Sequence, residues 1–241
     1  MSRSRAVVLL AALATIALTA RLGFWQLDRA RQKLELQQAR DGALAQPPLT
    51  AAELARDAAA APSQVHRRVA LSGRWLEHAN VYLDNRTMNA RTGFFVVTPL
   101  QLDDGRVVAV QRGWLPRDPV DRTRLAPHRT DAGPIALSGR MAAAPSRLFE
   151  LGAAASGPIR QNLDLAGYAA ELRRPLVPLV VVQEDDPARP ADDGLLRQWP
   201  QPASDVHKHH GYAFQWFGLS ALVLVLYVWF QVIRPRSRDL R

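Results

Sequence analysis

Two uninterrupted apolar runs, one near each end of the chain, bracket a middle in which apolar residues come only in short bursts. From Ala6 to Ala20 every residue except Thr15 and Thr19 is aliphatic or alanine, a run of 15 residues. As a helix it covers about 22 Å, short of a hydrocarbon core of about 30 Å. Continuation through Leu22, Gly23, Phe24 and Trp25 completes a span, with Arg21 reaching to the headgroups and Trp25 at the interface. A cleaved secretory signal is the alternative, because Arg3 and Arg5 precede the run. Leu18 is too large for the minus-three position of cleavage after Ala20, so an uncleaved anchor over 6–27 is expected. The second run, Tyr212 to Ile233, has 22 residues and no charge, interrupted only by Gln215, Ser220 and Gln231. It makes about 33 Å of helix, enough to cross a bilayer. Tyr212 and Trp216 mark one interface and Tyr227, Trp229 and Phe230 the other.

Beyond the first span, Leu22 to Arg40 consists of helix formers apart from Gly23, so the helix is expected to continue outward until Gly42, Pro47 and Pro48 end it. Thr50 and Glu53 have capping-box spacing ahead of an Ala-rich short helix over 49–61, which Pro62 stops. From Arg67 the pattern changes to alternating or short continuous runs of Val, Phe, Tyr and Leu between Gly, Asn, Asp and Pro clusters. These predict strands over 67–75, 80–84, 93–102, 106–114, 134–142 and 175–183, with Asp103, Asp104 and Gly105 turning a hairpin. One helix over 165–172, capped by Asp164, interrupts them. The expected fold class is α+β: two transmembrane helices flanking an outer antiparallel β-rich domain, barrel- or sandwich-like, over 28–211, with a few short helices. Ala-Leu-Ser-Gly-Arg occurs at Ala70–Arg74 and again at Ala136–Arg140. Either a two-copy half-barrel or two strands with the same turn chemistry explains it.

Charge changes the picture less than its total suggests. The formal net charge is +9, but residues 1–27 hold +3 and residues 212–241 another +3, leaving +3 interspersed with acids in the middle. No basic stripe of the density nucleic acid needs is present, so no nucleic-acid partner is expected. Arg234, Arg236 and Arg238 after the second span place the C-terminus in the cytoplasm, and two spans place the N-terminal residues 1–5 there as well. Arg21, Arg29, Arg31 and Lys33 oppose that orientation by count, but long translocated domains override such counts. The residues before the first span do not resemble a mitochondrial transit peptide, which favours a bacterial plasma membrane. The chain has no cysteine, which removes disulfides, thiolate metal sites and cysteine nucleophiles.

Candidate chemistry is sparse. No nucleophile elbow, HExxH, P-loop or dinucleotide fingerprint occurs, and Glu184, Asp185, Asp186, Asp192 and Asp193 read as solvated turns. Three of the six histidines, His207, His209 and His210, fall just before the second span. At 100° per residue His207 and His210 point away from His209, which disfavours a copper or zinc site. His209, Tyr212 and Trp216 fall within about 60° of one another on the helical wheel. That face is either an aromatic belt beneath a solvent-exposed imidazole or a perch for a porphyrin, with imidazole as axial ligand and flat rings below it.

Four motifs in order resemble those of the Surfeit locus protein 1 family. They are Leu22-Gly-Phe-Trp-Gln-Leu-Asp-Arg29 with Lys33, Gly93-Phe-Phe-Val-Val-Thr-Pro99, Val110-Gln-Arg-Gly-Trp-Leu-Pro116, and His209-His-Gly-Tyr212-Ala-Phe-Gln-Trp216-Phe-Gly218. The resemblance covers nearly the whole chain and implies an assembly factor for haem-copper cytochrome c oxidase, not an enzyme. It implies haem a as a transiently bound cargo, with His209 as axial ligand to the iron and Tyr212 and Trp216 beside the macrocycle. The implied partners are the oxidase catalytic subunit, the lipid bilayer and, as a candidate, haem a synthase. A structural chaperone of that subunit that never touches haem is the alternative. Trp25, Arg29, Arg112 and Trp114 also lie in these motifs, where barrel packing of Trp114 and headgroup contact of Arg29 account for them as well as a direct role does. Gln111 stands where many relatives have Asn, and His207-Lys208 replaces an Asn-rich approach to His209.

Overall fold

The computed structural model describes residues 3–145, 148, 157–186, 191–200 and 205–234. Its elements are helix α1 (Arg3–Ala45), strands β1 (Arg68–Trp75), β2 (Val81–Met88), β3 (Arg91–Leu102), β4 (Val107–Pro116), β5 (Pro134–Ala142) and β6 (Ile159–Arg160), helix α2 (Leu165–Leu172), strand β7 (Leu176–Glu184) and helix α3 (Val206–Val228). Single turns of 3-10 helix occur at Ala51–Glu53, Ala61–Gln64 and Glu77–Ala79, and a π-type turn, Trp229–Ile233, extends α3. The chain divides into two compact units, Met1–Ala39 with Pro202–Arg241, and Arg40–Gln201.

In the second unit β1 pairs with β5 along one edge and with β3 along the other, so β1, β5, β7, β4 and β3 close into a ring. The pairings are antiparallel, as the short turns led us to expect, except for two. β4 runs parallel to β7, and β2 parallel to the two-residue β6, so the seven-stranded sheet is mixed. The parallel pair arises because β7 reaches β4 only after β5 and the crossover through α2. Counting ring strands alone, the order is 1-2-3-5-4 with the third and fifth parallel, the connectivity of a small Greek-key barrel of the OB type. Its interior is filled by Val69, Leu71, Leu100, Val108, Val110, Leu137, Met141, Leu179 and Val181. β1 and β5 alternate buried with exposed residues because only one face is covered. β4 is buried from Val107 to Leu115, since Ala109 and Trp114 pack on its other face against Leu163 and Tyr168.

The repeated pentapeptide belongs to these two alternating strands. Its copies lie side by side, antiparallel about Leu71 opposite Leu137. A Cβ on Gly73 would stand 2.3 Å from the Gln101 carbonyl oxygen, and one on Gly139 would stand 2.4 Å from that of Val182. Each glycine thus lets its strand press against its other neighbour, where the ring bends.

Several boundaries depart from the sequence pattern for identifiable reasons. α1 passes through Gly42 and stops at Ala45, ahead of Pro47. Glu53 Oε2 accepts from both the backbone N–H and the hydroxyl of Thr50 at 2.8 Å, as the capping box expects, yet only the 3-10 turn Ala51–Glu53 follows and no continuous helix over 49–61. Arg106 takes the carbonyls of Ala51 and Leu54, and Gln64 pairs with Ala55 N–H and the Glu53 carbonyl, so tertiary partners hold the groups a helix would use. Pro62 sits inside the second 3-10 turn and does not end a helix. β2 runs past Asp84 to Met88 because Asn85, at φ 59°, is a bulge and not a terminator. Asn89 and Ala90, both at positive φ, then close a two-residue hairpin. The 103–105 turn, β5 over 134–142 and α2 with its Asp164 cap form where the pattern put them, Asp164 Oδ2 accepting from Gly167 N–H at 2.8 Å.

Candidate functional site

In the first unit α1 and α3 are both long and apolar enough to cross a membrane, with mean hydropathies of 2.1 and 1.8 over their most apolar stretches. They pack through a seam of small and polar residues. Thr19 and Ser220 lie 2.6 Å apart hydroxyl to hydroxyl; one donates to the other, and the one that accepts gives its own hydrogen to a carbonyl of its preceding turn, Thr15 or Trp216, so no hydroxyl hydrogen is stranded in apolar surroundings. One turn along α1, Gly23 faces the Phe217 ring, which would lie 2.7 Å from a Cβ at that position. Phe24 meets the same ring edge-on at 5.1 Å. Ala30 and Ala213, each 2% exposed, continue the seam. The positions used, 19, 23, 26 and 30 on α1 and 209, 213, 216 and 220 on α3, follow the i, i+4, i+7, i+11 spacing of one helical face.

His209 is half-buried in this seam, and its Nδ1 lies 2.7 Å from Gln26 Oε1. With the carboxamide oxygen accepting at this contact, Nδ1 donates the proton and Nε2 keeps its lone pair. Trp216 is half-buried on the same side, whereas Tyr212 is 51% exposed on its flank. The structure therefore sets His209 and Trp216 on one face and leaves Tyr212 at its open edge. His207 and His210 are exposed elsewhere on the helix. Lys208 bonds Asp205 at 2.9 Å, and that hydrogen bond and charge, helped by Lys33, hold the Asp205 carboxyl below its ordinary range. Trp25, Phe24 and Phe214 are exposed around the same level, and the Arg29 guanidinium lies 5.8 Å from the Trp25 ring centre. Among the described residues no group of three or more His, Asp or Glu is arranged to hold a bare metal ion.

In the second unit Arg112 and Trp114 are parts of a clamp. Trp114 is 1% exposed and donates its indole N–H to the Arg86 carbonyl at 2.9 Å. Gly93 lies under the indole, where a Cβ would come within 2.5 Å of the ring. β7 pairs with β4 as far as Gln111, and beyond it the segment 191–200 takes over, Leu196 bridging Trp114 through hydrogen bonds of 2.7 and 3.0 Å. A Cβ on Gly113 would meet Leu195 Cβ at 2.6 Å, so glycine admits the crossing. Arg112 stacks 4.7 Å over the Trp75 ring and donates to Thr130 Oγ1, the Arg129 carbonyl and Asp193 Oδ2. Arg197 grips the same Asp193. Asp193 is thus no solvated turn residue. Burial raises its pKa, but the hydrogen bonds and charge of Arg197, the Leu195 N–H and Arg112 outweigh that and hold the carboxyl below the usual range. Asp186 and Asp192 are exposed, as the sequence suggested, whereas Glu184 ends β7, half-buried and paired with Arg140 at 3.2 Å, and Asp185, though exposed, reaches Arg197 at 3.1 Å. In the Arg-Gly-Trp motif, then, every residue has a structural task on this barrel.

These features define a class: a small Greek-key barrel carried on a chain with two candidate membrane helices, one of which presents an oriented imidazole. The chain matches the SURF1 family over residues 13–221, and it belongs to that family. A SURF1-like protein of Rickettsia bellii (strain RML369-C) is 27% identical over 221 residues, covering 90% of this chain and 88% of its own. One of Rickettsia felis (strain ATCC VR-1525 / URRWXCal2) is 25% identical over 221 residues, covering 91% and 94%. One of Dictyostelium discoideum is 34% identical over a shorter stretch of 59 residues, 24% of this chain and 22% of its own. The family is known for assembly of cytochrome oxidase and is not a family of enzymes. The resemblance read from the four motifs is therefore correct at the level of family and general role, and the two apolar helices mark a membrane protein.

Proposed function

We propose that this protein binds haem a through His209 and helps to place it in the catalytic subunit of a haem-copper cytochrome c oxidase. The observation that carries this reading is the hydrogen bond from His209 Nδ1 to Gln26, which leaves Nε2 as the free donor atom. Histidines that ligate metals characteristically bond a carboxylate, carbonyl or water through the other nitrogen, which fixes ring and tautomer. Trp216 and Tyr212 supply flat apolar surface next to the imidazole, suited to the face or edge of a macrocycle. Haem here is cargo: the chain's own groups ligate and orient it, and no residue is asked to turn it over.

The arginines after the second span favour a cytoplasmic C-terminus, and two crossings bring the N-terminus to the same side. Arg236 and Arg238 lie outside the described residues. The barrel then stands in the periplasm of a bacterial inner membrane, a setting that suits the bacterial relatives matched almost end to end. The proposed partners are the oxidase catalytic subunit, as acceptor, and haem a synthase, as source.

A strain lacking this protein and complemented with His209→Ala tests the reading. The variant is expected to reach the membrane at wild-type levels while haem a in the purified oxidase subunit falls several-fold. Normal oxidase haem content with His209→Ala would instead support a structural chaperone that does not touch haem.

A further inference from the structure

We infer that Gln26 is the positioning residue for His209, selecting its Nδ1–H tautomer and setting its strength as a donor; this rests on the haem reading above. Gln26 occupies the α1 side of the seam between Gly23, whose missing side chain brings Phe217 close, and Ala30, which is fully packed. With both helices held this near, the carboxamide reaches the imidazole at 2.7 Å across 183 residues of sequence. Thr19 to Ser220 and Phe24 to Phe217 fix the same pair of helices further along. His209 also sits in the first turn of α3, its backbone N–H bonded to the Asp205 carbonyl at 3.4 Å, so backbone and ring are held from different sides.

The choice of carboxamide has a chemical consequence. A carboxylate on Nδ1 would draw the proton toward itself and make the ring a stronger, more imidazolate-like donor. A neutral oxygen fixes the same tautomer without that gain in basicity, which suits a ligand that must later give up its cargo. Gln26→Glu should therefore keep the geometry and strengthen the donor, whereas Gln26→Leu should release the ring.

Nitrogen-15 NMR of histidine-labelled full-length protein in detergent reads the first part without haem. The wild type should show His209 with the proton on Nδ1, and Gln26→Leu should lose that preference. Titration with haem a, or with haem b as a probe, reads the second part: affinity should fall about 10- to 100-fold in Gln26→Leu. Gln26→Glu should bind and shift the iron midpoint potential downward. Circular dichroism and elution volume of both variants confirm that the helix pair persists. A His209 tautomer unchanged by Gln26→Leu overturns the inference, as does wild-type haem affinity in that variant. If the wild type binds no haem while the tautomer still answers to Gln26, the haem reading fails and the positioning contact stands.

Discussion

Asp193 shows how much one residue can hold. Its carboxylate, with a side chain 13% exposed, separates the guanidinium groups of Arg112 and Arg197, which are 3% and 1% exposed. Removing it leaves two buried cations facing each other, with the half-open Asp185 still in reach of Arg197. Breaking a buried pair costs about 3–5 kcal/mol, so Asp193→Asn should destabilise the barrel by that order at neutral pH, read by denaturant unfolding of the detergent-solubilised chain. The pH dependence has a definite sign. A carboxyl whose folded pKa lies below its unfolded value adds stability that is complete above the unfolded pKa of about 3.9 and is lost as pH falls through the folded one. Amide exchange at Leu196 should accelerate in that acid range in the wild type, while Asp193→Asn should be fast already at neutrality. Asp193 was illegible in the sequence because Asp192, Gly194 and the neighbouring prolines spell a turn, and nothing local announces two arginines. Gln26 was hidden for the same reason, its partner lying on the far side of the barrel sequence. That His209 and Trp216 share a face was legible because helical period alone fixes it; the part the face plays was not, and came only from the resemblance.

At the level of elements the chain spells out what is local and conceals what is not. Period-two alternation made β1 and β5 readable, and continuous apolar runs made β3, β4 and β7 readable, since those are buried on both faces. The second half of β2 was concealed by Asn85, a bulge residue that looks like a terminator. β6 is two residues long and has no pattern to show. The parallel β4 to β7 pairing depends on a crossover, which turn chemistry cannot report. The repeated pentapeptide carries a prediction at this scale. Gly73→Ala and Gly139→Ala each put a Cβ within 2.4 Å of a backbone oxygen of the adjacent strand, which cannot move aside alone. Each should cost about 1–3 kcal/mol or more in chemical denaturation. Gly42→Ala, in open space on α1, should instead stabilise by up to about 1 kcal/mol. Equal stability in all three variants would mean that the ring does not close through these glycines.

Across the whole molecule two kinds of construction coexist. The barrel is a conventional apolar core with a buried ionic clamp, and the helix pair is a lean seam of Thr, Gly, Gln, Ala and Ser with Phe217 against it, most of its large apolar side chains being left exposed. Leu10, Leu13, Leu18, Leu219, Leu222 and Val225 are all exposed, which suits lipid or another membrane protein and suits no aqueous surface. Membership in the SURF1 family ties this construction to oxidase assembly, and the haem role we propose rests on the imidazole at the head of the seam. That role is tested most directly by the optical spectrum of the detergent-purified protein, produced in cells that make haem a. We expect a Soret band and a reduced α-band in the wild type and in a His207→Ala, His210→Ala double variant, and their loss in His209→Ala with folding intact. Equal haem content in wild type and His209→Ala, or none in a folded wild type, would contradict the account.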